Sequence, residues 1–307
     1  MALVWRNGGL FDVALGLRVV EDALPMRRDT IFRITSMTKP ITSALTLMLM
    51  EESRLRLDDP IVKWAPELAN RRVLKDPSGP IDDTYPAPRD ITIEDLLTHR
   101  SGLAEAFTSR GAVADAYERA APNSMAMTPE EFLAALASLP LTYAPGERWL
   151  YGYSPTVLGV LAERIAGQPF RDLLLDRILL PLGMSDTDFW IPPDKRDRCA
   201  GLYRFDAEKG TPAPQPVFPR DALPTLCSGG TGLVSTADDY LKFARMLLGR
   251  GEGDGVRLLK PETVALMTSD RLTVAQRAVL VRDEPHWVGQ GVGLGLGIDI
   301  DTENRTP

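Results

Sequence analysis

Histidine and cysteine are scarce in this chain, which has two of each among 307 residues. Cys199 and Cys227 are too few for a disulfide framework and lack the spacing of a metal site, so we interpret both as small apolar residues. His99 and His286 are the two residues that could act as the base of a Ser-His-Asp triad. No histidine, aspartate and glutamate cluster has metal-ligand spacing, and we expect neither a metal nor another cofactor.

An excess of positive charge and a long apolar run are also absent. The chain has 35 lysines and arginines against 42 acidic residues, and its net charge of −7 argues against nucleic acid as a partner. Its apolar runs are too short to span a bilayer, and the N-terminus lacks the apolar region of a secretion signal. The composition is typical of a soluble globular protein, for which we expect a cytoplasmic location and no membrane span. The sequence indicates no particular oligomeric state.

Three glycine-containing stretches lack a residue that a known motif requires. The stretch Gly152-Tyr153-Ser154-Pro155-Thr156 lacks the second glycine of a nucleophile elbow. The stretch Gly229-Gly230-Thr231-Gly232 lacks the Gly-Lys-Ser/Thr ending of a phosphate-binding loop. The glycines between positions 291 and 297 do not have dinucleotide-binding spacing. Their alternation with apolar residues predicts instead a strand over Val292 to Ile300.

A Ser-x-x-Lys pair stands at the predicted start of a buried helix. Pro40 is tolerated only in a first helical turn, so the apolar helix from Ile41 to Glu52 should begin near Ser36 to Thr38. Ser36 and Lys39 then lie on one helix face, because residues three apart are neighbours there. A buried lysine is less readily charged and can accept a proton from a serine, and a helix N-terminus favours developing negative charge. The spacing fits equally well an N-cap serine beside a lysine that only reaches toward solvent.

A second proton-transfer group is expected near Ser36. Tyr151 follows a turn and precedes a helix, a position from which its hydroxyl can point into a cleft. An ordinary half-buried loop tyrosine would have the same pattern, and Tyr153 is a competing candidate two residues later. His99 lies in a loop between two predicted elements, where we interpret it as a hydrogen-bonded loop anchor.

The order of predicted elements indicates two lobes with a cleft between them. Residues 1–20 read as a β-hairpin around Asn7-Gly8-Gly9, and residues 75–90 as a long loop. Mostly helical segments lie between two strand-containing ends. The boundaries predict an α/β lobe from residues 1–58 and 225–307 and an inserted helical lobe from 59–224. The helices predicted besides the Ser36 helix are Ile91 to Thr98, Pro129 to Leu139, Val157 to Ile165, Phe170 to Leu180, Tyr240 to Leu248 and Pro261 to Met267.

Several motifs, in order along nearly the whole chain, resemble those of the serine β-lactamase-like hydrolases. This family comprises class C β-lactamases, D-alanyl-D-alanine carboxypeptidases and the family VIII esterases. The similar stretches are Ile31 to Pro40, Asp95 to Leu103, Pro145 to Tyr151, Val157 to Gly159, Pro181 to Thr187 and Gly230 to Thr236. The resemblance implies an α/β (α+β) fold of the β-lactamase/transpeptidase type, with an antiparallel sheet flanked by helices. It also implies that Ser36 is the acylated nucleophile, Lys39 its partner base and Tyr151 the proton shuttle.

The sequence departs from the family pattern in two ways. The lactamase branch has Tyr-x-Asn at the second motif, where the Asn holds the side-chain amide of a lactam. Here Tyr153 replaces that Asn, which favours an ester substrate.

The family's third motif, a Lys-Thr-Gly-like or His/Trp-Gly-Gly-like strand, and the last strands after it are not found before Pro307. Loss of one oxyanion donor costs about 10²- to 10³-fold in rate, so we expect a fragment or an incompletely represented chain.

Taken together, the sequence predicts a serine hydrolase that cleaves a small-molecule carboxylic ester through an acyl-enzyme on Ser36. Trp149, Tyr153 and Trp287 could shape an apolar acyl pocket, although core or surface packing explains such residues equally well. Two alternatives remain open. One is a β-lactamase or D-amino-acid peptidase with the same mechanism, and the other is a non-catalytic binding scaffold or inactive fragment.

Overall fold

The computed structural model describes residues 1–6, 9–120, 124–215 and 221–300. The described residues form nine α-helices: Thr38–Glu51 (α1), Ile93–Leu97 (α2), Gly111–Ala120 (α3), Pro129–Ala137 (α4), Ser154–Ala166 (α5), Phe170–Leu174 (α6), Ala237–Leu248 (α7), Pro261–Met267 (α8) and Val274–Asp283 (α9). A π-helical turn, Leu175–Leu179, continues α6. Short 3₁₀ helices cover Thr35–Met37, Ile61–Lys63, Pro66–Leu68, Ala106–Thr108, Ser124–Ala126, Pro193–Arg198 and Pro285–Trp287.

The strands of the described residues form antiparallel pairs rather than one continuous sheet. In chain order they are Ala2–Arg6 (β1), Gly9–Val13 (β2), Leu17–Val19 (β3), Leu24–Pro25 (β4), Phe32–Arg33 (β5), Arg72–Leu74 (β6), Thr84–Pro86 (β7), Tyr203–Asp206 (β8), Thr211–Pro214 (β9), Val234–Ser235 (β10), Glu252–Gly253 (β11), Val256–Arg257 (β12), Gln290–Val292 (β13) and Gly297–Asp299 (β14). Six pairs join consecutive strands. The remaining pair, β5 with β10, links residues about 200 positions apart, with Val234 opposite Arg33 and Ser235 opposite Phe32.

Helix α1 lies at the centre of the core. It begins at Thr38, as the position of Pro40 predicted, and nearly all of its side chains are buried. Ile41, Leu45 and Leu49 are fully enclosed, and α1 packs against α5. A helix that is apolar on all sides is stable only when other elements cover it completely. This burial fixes the orientation of the helix and therefore the position of the residues at its N-terminus.

Capping residues set the ends of several helices. The Thr128 side chain accepts a hydrogen bond from the Glu131 amide at the start of α4, and the Glu131 carboxylate accepts one from the Thr128 amide. Thr236 caps α7 by accepting from the Asp239 amide. Gly167 ends α5 in the left-handed conformation, with φ +71°, which glycine adopts without strain.

Other elements differ from the prediction. The helix expected from Phe170 to Leu180 loses α-helical pairing after Leu174 and finishes as the π turn. The single strand expected over Val292 to Ile300 is a hairpin of β13 and β14, because Gly295 has φ +82° and the Gly293 amide donates to Leu296 O at 2.8 Å. Helix α9 was not predicted, and β7 lies within the expected loop 75–90. The N-terminal hairpin is present, but its Asn7-Gly8 turn lies outside the described residues.

None of the helices in the described ranges is long and apolar enough to cross a membrane. The apolar side chains form one large core to which α1, α2, α4 and α5 all contribute. A smaller cluster of Leu272, Leu280 and Val292 lies beneath Trp149 and Trp287. The division into an α/β lobe and a helical lobe at residues 58 and 224 stays a prediction.

Candidate active site

Ser36 lies in the short turn that connects β5 to α1. The pairing of β5 with β10 and the burial of α1 fix this turn from both ends. Thr35, immediately before Ser36, has φ +43°, a region that β-branched residues rarely occupy. Such backbone strain costs on the order of 1–3 kcal/mol and persists where the surrounding structure imposes it. The result is an exposed Ser36 side chain ahead of a buried helix.

Lys39 reaches Ser36 from the first turn of α1. Its side chain is buried, and its Nζ donates to Ser36 Oγ at 3.2 Å and to the Gly230 carbonyl oxygen at 2.8 Å. The ammonium group also lies 4.5 Å from the centre of the Tyr151 ring. These contacts hold Lys39 Nζ beside the Ser36 hydroxyl. They also take the place of the water that a buried lysine head group does not reach.

The Gly230 carbonyl is positioned by close packing of the glycine-rich stretch. The Thr42 hydroxyl of α1 donates to Gly229 O at 2.8 Å. A Cβ atom on Gly229 would lie 2.4 Å from the Pro155 carbonyl oxygen, so only glycine fits at this contact with the start of α5. The sequence excluded a phosphate loop here. In the structure the stretch accepts a hydrogen bond from Lys39.

Tyr151 supplies the third polar group. Its hydroxyl oxygen lies 2.6 Å from Ser36 Oγ, the length of a strong hydrogen bond between hydroxyl groups. Either oxygen can be the donor. Because Lys39 donates to Ser36 Oγ, the serine proton is free to point toward Tyr151 Oη. The structure therefore places the three predicted catalytic residues, Ser36, Lys39 and Tyr151, in one hydrogen-bonded chain.

His99 lies on the other side of the Tyr151 ring. The two rings stack with centroids 4.8 Å apart and an interplanar angle of 12°. The His99 carbonyl oxygen accepts from the Leu150 amide at 2.7 Å, and its Nδ1 accepts from the Gly152 amide at 3.4 Å. Burial, and to a smaller extent the charge of Lys39, lower the pKa of His99 from 6.5 to about 3. The imidazole is therefore neutral near neutral pH.

The sequence pointed to His99 only as a loop anchor. Its contacts with Leu150 and Gly152 agree with that interpretation, but its stacking on Tyr151 was not foreseen. A ring contact between residues 52 positions apart has no periodic signal. The Lys39 contact to Gly230 was not predicted either.

A cleft of ≈ 780 Å³ opens in front of Ser36. Its wall carries aromatic and aliphatic side chains together with charged groups. They are Ser36, Pro77, Ser78, Phe107, Thr108, Ser109, Arg110, Thr142, Tyr143, Arg148, Trp149, Leu150, Tyr151, Leu280, Asp283, Glu284, His286 and Trp287. The volume is within the range of small-molecule sites, roughly 300–1,000 Å³.

Two of the three residues predicted to bind substrate line this cleft. Trp149 and Trp287 stand side by side with ring centroids 5.3 Å apart. Tyr153 is not among the described residues of the cleft wall. Its ring packs against Tyr117 and Phe132, and burial raises the pKa of its hydroxyl. The backbone turns between Tyr151 and Ser154, where α5 begins, so the two tyrosines do not point the same way.

Charged groups at the cleft are largely paired with one another. Arg148 forms an ion pair with Asp283 and lies over the Tyr143 ring, with its guanidinium carbon 4.4 Å from the ring centre. His286 lies 3.7 Å from Glu284. Within the described ranges no group of three or more histidine, cysteine, aspartate or glutamate side chains could hold a metal ion.

Comparison with known proteins gives one family. A family model described as Beta-lactamase matches residues 1–305. Protein Rv1367c of Mycobacterium tuberculosis (strain ATCC 25618 / H37Rv) is 46% identical over 292 residues, which are 95% of this chain and 72% of that protein. Esterase EstB of Burkholderia gladioli is 35% identical over 266 residues, 79% of this chain and 63% of the esterase. This chain therefore matches less than two thirds of the length of EstB.

A solved structure gives the same result for the fold. The structure titled "EstCE1, a hydrolase with promiscuous acyltransferase activity" superposes with a TM-score of 0.79 at 26% sequence identity. The superposition covers 98% of this chain and 78% of EstCE1. This similarity confirms the β-lactamase/transpeptidase-like fold predicted from the sequence.

Proposed function

This chain belongs to the β-lactamase family, as its motifs predicted, and from that premise we propose that it is a serine esterase that acylates Ser36. One observation carries the proposal: Ser36 Oγ lies within hydrogen-bond distance of both Tyr151 Oη and Lys39 Nζ. A serine hydroxyl becomes a useful nucleophile only when a neighbouring group takes its proton. EstB is an esterase and EstCE1 a hydrolase, which supports the same activity.

The proposed acylation step follows from the direction of the hydrogen bonds. Ser36 Oγ attacks the ester carbonyl carbon while its proton passes to Tyr151 Oη, 2.6 Å away, and Tyr151 gives its own hydroxyl proton to the ester oxygen that leaves as the alcohol. Lys39, held by Gly230 O, places positive charge beside Ser36 Oγ and the Tyr151 ring and stabilises the negative charge that develops. The Ser36 amide, near the N-terminus of α1, donates to the carbonyl oxygen as it becomes an oxyanion. The tetrahedral intermediate then collapses as the bond to the leaving oxygen breaks, and the alcohol departs with the proton received from Tyr151.

Deacylation reverses the same proton path. A water molecule attacks the acyl carbon bonded to Ser36 Oγ and gives one proton to Tyr151 Oη, which passes its own hydroxyl proton to Ser36 Oγ. The carbon–oxygen bond to Ser36 then breaks, and the serine hydroxyl is restored. The products are a carboxylic acid and free enzyme.

An ester with an apolar group of medium size is the substrate that the cleft favours. Trp149 and Trp287 provide an aromatic wall, and the ≈ 780 Å³ volume exceeds the needs of an acetyl group. The position that carries Asn in the lactamase branch is Tyr153, whose ring packs against Tyr117 and Phe132 instead of lining the cleft. A group that would hold a lactam's side-chain amide is therefore absent from this position, which supports an ester over a β-lactam.

The test is covalent labelling together with ester turnover. Wild-type protein, Ser36→Ala and the surface control Ser138→Ala are treated with a fluorophosphonate, and intact masses are recorded. Hydrolysis of p-nitrophenyl butyrate is measured in parallel. We expect one adduct and turnover in wild type and Ser138→Ala, and neither in Ser36→Ala. Turnover retained by Ser36→Ala would contradict the proposal.

Two results would point to the alternative functions. Nitrocefin hydrolysis faster than ester hydrolysis, with the same dependence on Ser36, would indicate a β-lactamase or related peptidase. A folded wild-type protein with neither adduct nor turnover would indicate a binding scaffold.

A further inference from the structure

His99 makes three contacts that hold the backbone and the ring of Tyr151 in place. The His99 carbonyl oxygen accepts from the amide of Leu150, and its ring nitrogen Nδ1 accepts from the amide of Gly152. Between these two hydrogen bonds, the imidazole lies flat against the Tyr151 ring at 4.8 Å. The residue before Tyr151, the residue after it and its side chain are therefore all fixed by His99.

The conformation of His99 is adapted to this arrangement. Its φ of +53° is in the left-handed region, where histidine, asparagine and aspartate are enriched among non-glycine residues. His99 follows Thr98, the C-cap of α2, and the capped N-terminus and buried side chains of that helix fix where the chain turns. Backbone strain retained next to a reactive group is a feature of sites that must be held in one geometry.

A role as proton acceptor for Ser36 does not fit this geometry. The ring presents its face to Tyr151, and Nδ1 already accepts from the Gly152 amide. His99 is buried, and its low pKa keeps the ring neutral, so it adds no positive charge beside Lys39. A neutral flat ring can pack against the phenol and accept a backbone hydrogen bond at the same time.

We propose that His99 is a positioning residue that holds Tyr151 Oη at hydrogen-bond distance from Ser36 Oγ. It acts through ring stacking and through the hydrogen bonds on either side of Tyr151. This inference rests on the proposed function, because it assigns His99 to the proton path of the same site. Misplacement of a reacting group by about 1 Å can cost on the order of 10²-fold in rate, which sets the size of the effect to expect.

Two substitutions separate the contacts. His99→Asn keeps an acceptor near Nδ1 and tolerates the left-handed backbone, but removes the stacked ring. His99→Phe keeps a ring and removes the acceptor. We expect His99→Asn to lower kcat for p-nitrophenyl butyrate by roughly ten- to hundredfold with KM nearly unchanged, and His99→Phe to lower it less. The exposed Arg250, with φ +54°, provides the control Arg250→Asn, which should retain full activity.

A double-mutant cycle distinguishes positioning of Tyr151 from general structural support. Tyr151→Phe removes the hydroxyl that His99 is proposed to place. In that background His99→Asn should cost less than about threefold, because residues that act as a unit are strongly non-additive. Equal fold-losses in both backgrounds would overturn the positioning role. If Tyr151→Phe itself retained the full rate, the proposed proton path would fail instead.

A structural readout tests the inference without relying on activity. Crystal structures of wild type and His99→Asn would give the distance from Ser36 Oγ to Tyr151 Oη. We expect 2.6 Å in wild type and more than 3.5 Å, or two tyrosine rotamers, in the variant. An unchanged distance in His99→Asn would overturn the proposal even if the chain proved inactive toward esters. Should His99→Asn fail to fold, the same measurement on His99→Phe decides the contribution of the Gly152 hydrogen bond.

Discussion

Tyr151 Oη lies 2.6 Å from Ser36 Oγ, although 115 positions separate the two residues in the chain. The contact exists because two independently fixed segments meet. Ser36 is held by the start of the buried helix α1, and Tyr151 is held by His99 and by the start of α5. Lys39 completes the group from α1, while Gly230 orients the lysine from the glycine-rich stretch. The predictions below each disturb one of these supports or one wall of the cleft.

Replacing Lys39 by methionine should lower ester hydrolysis strongly while changing the free energy of unfolding little. Met fills a similar volume and removes the amino group that contacts Ser36. Losing one group that stabilises the developing oxyanion costs about 10²- to 10³-fold, so ester hydrolysis should fall by that order. The free energy of unfolding should change by less than about 2 kcal/mol, because relief of a buried charge offsets the lost hydrogen bond to Gly230 O.

Ester turnover and urea denaturation of Lys39→Met give the two quantities. Lys75→Met, at an exposed lysine, is the control and should keep its activity. Activity within threefold of wild type in Lys39→Met would remove the lysine from the proposed mechanism.

Trp287 should determine preference for acyl chain length. Its ring lines the cleft beside Trp149, so Trp287→Ala removes one apolar wall. Binding in an apolar pocket discriminates by about 10- to 200-fold per methylene at most, and we expect kcat/KM for p-nitrophenyl octanoate to fall about tenfold. The value for p-nitrophenyl acetate should change little, since a short acyl group leaves the tryptophan wall unused. Trp5→Ala, in the N-terminal hairpin, serves as control, and equal losses on both esters would argue against an acyl-binding role.

Gly229 should not tolerate a side chain. A Cβ atom there would meet the Pro155 carbonyl oxygen at 2.4 Å and the Thr42 side chain at 2.9 Å. Forcing atoms into a packed interior costs typically about 1–3 kcal/mol, so Gly229→Ala should lower the free energy of unfolding by that amount. Gly297→Ala is the matched control, because its nearest neighbour is the Trp287 ring at 3.5 Å, an ordinary contact. Urea denaturation would measure both, and equal stabilities would show that the glycine-rich stretch can move.

Acid should destabilise the protein through His99. Burial lowers the pKa of folded His99 to about 3 from an ordinary value of 6.5, so below pH 6.5 the unfolded chain binds a proton that the folded chain does not. The stability contributed by the neutral ring is present above pH 6.5 and is lost as pH falls toward 3. Between pH 7 and pH 5 this linkage amounts to about 2 kcal/mol.

His99→Asn isolates this linkage because it removes the titrating ring and leaves other acid-sensitive groups in place. Free energies of unfolding at pH 7 and pH 5 would be compared for the two proteins. The fall should be about 2 kcal/mol smaller in His99→Asn. Parallel pH dependence of the two proteins would show that His99 is protonated in the folded state.

Local sequence signals predicted much of the local structure. Pro40 predicted the start of α1 in the turn that contains Ser36. In the structure Thr128 and Thr236 cap the starts of α4 and α7, and Gly167 ends α5. These features depend on interactions within a few residues, which is why a pattern can reveal them. The alternation of glycine with apolar residues predicts one strand where the structure has the hairpin of β13 and β14. The turn of this hairpin depends on the conformation of Gly295, which the alternation does not indicate.

The sequence by itself determined the candidate nucleophile, its lysine at helical spacing and the family to which the chain belongs. Its second-motif tyrosine was named by resemblance, since nothing near Tyr151 distinguishes it from Tyr153. Only the tertiary structure distinguishes the positions of these two tyrosines: one hydroxyl lies at Ser36, and the other ring packs against Tyr117 and Phe132. It also brought His99 under Tyr151 and Gly230 to Lys39. These contacts join segments far apart in the chain, and their geometry is set by the packing of the whole core rather than by any local pattern of residues.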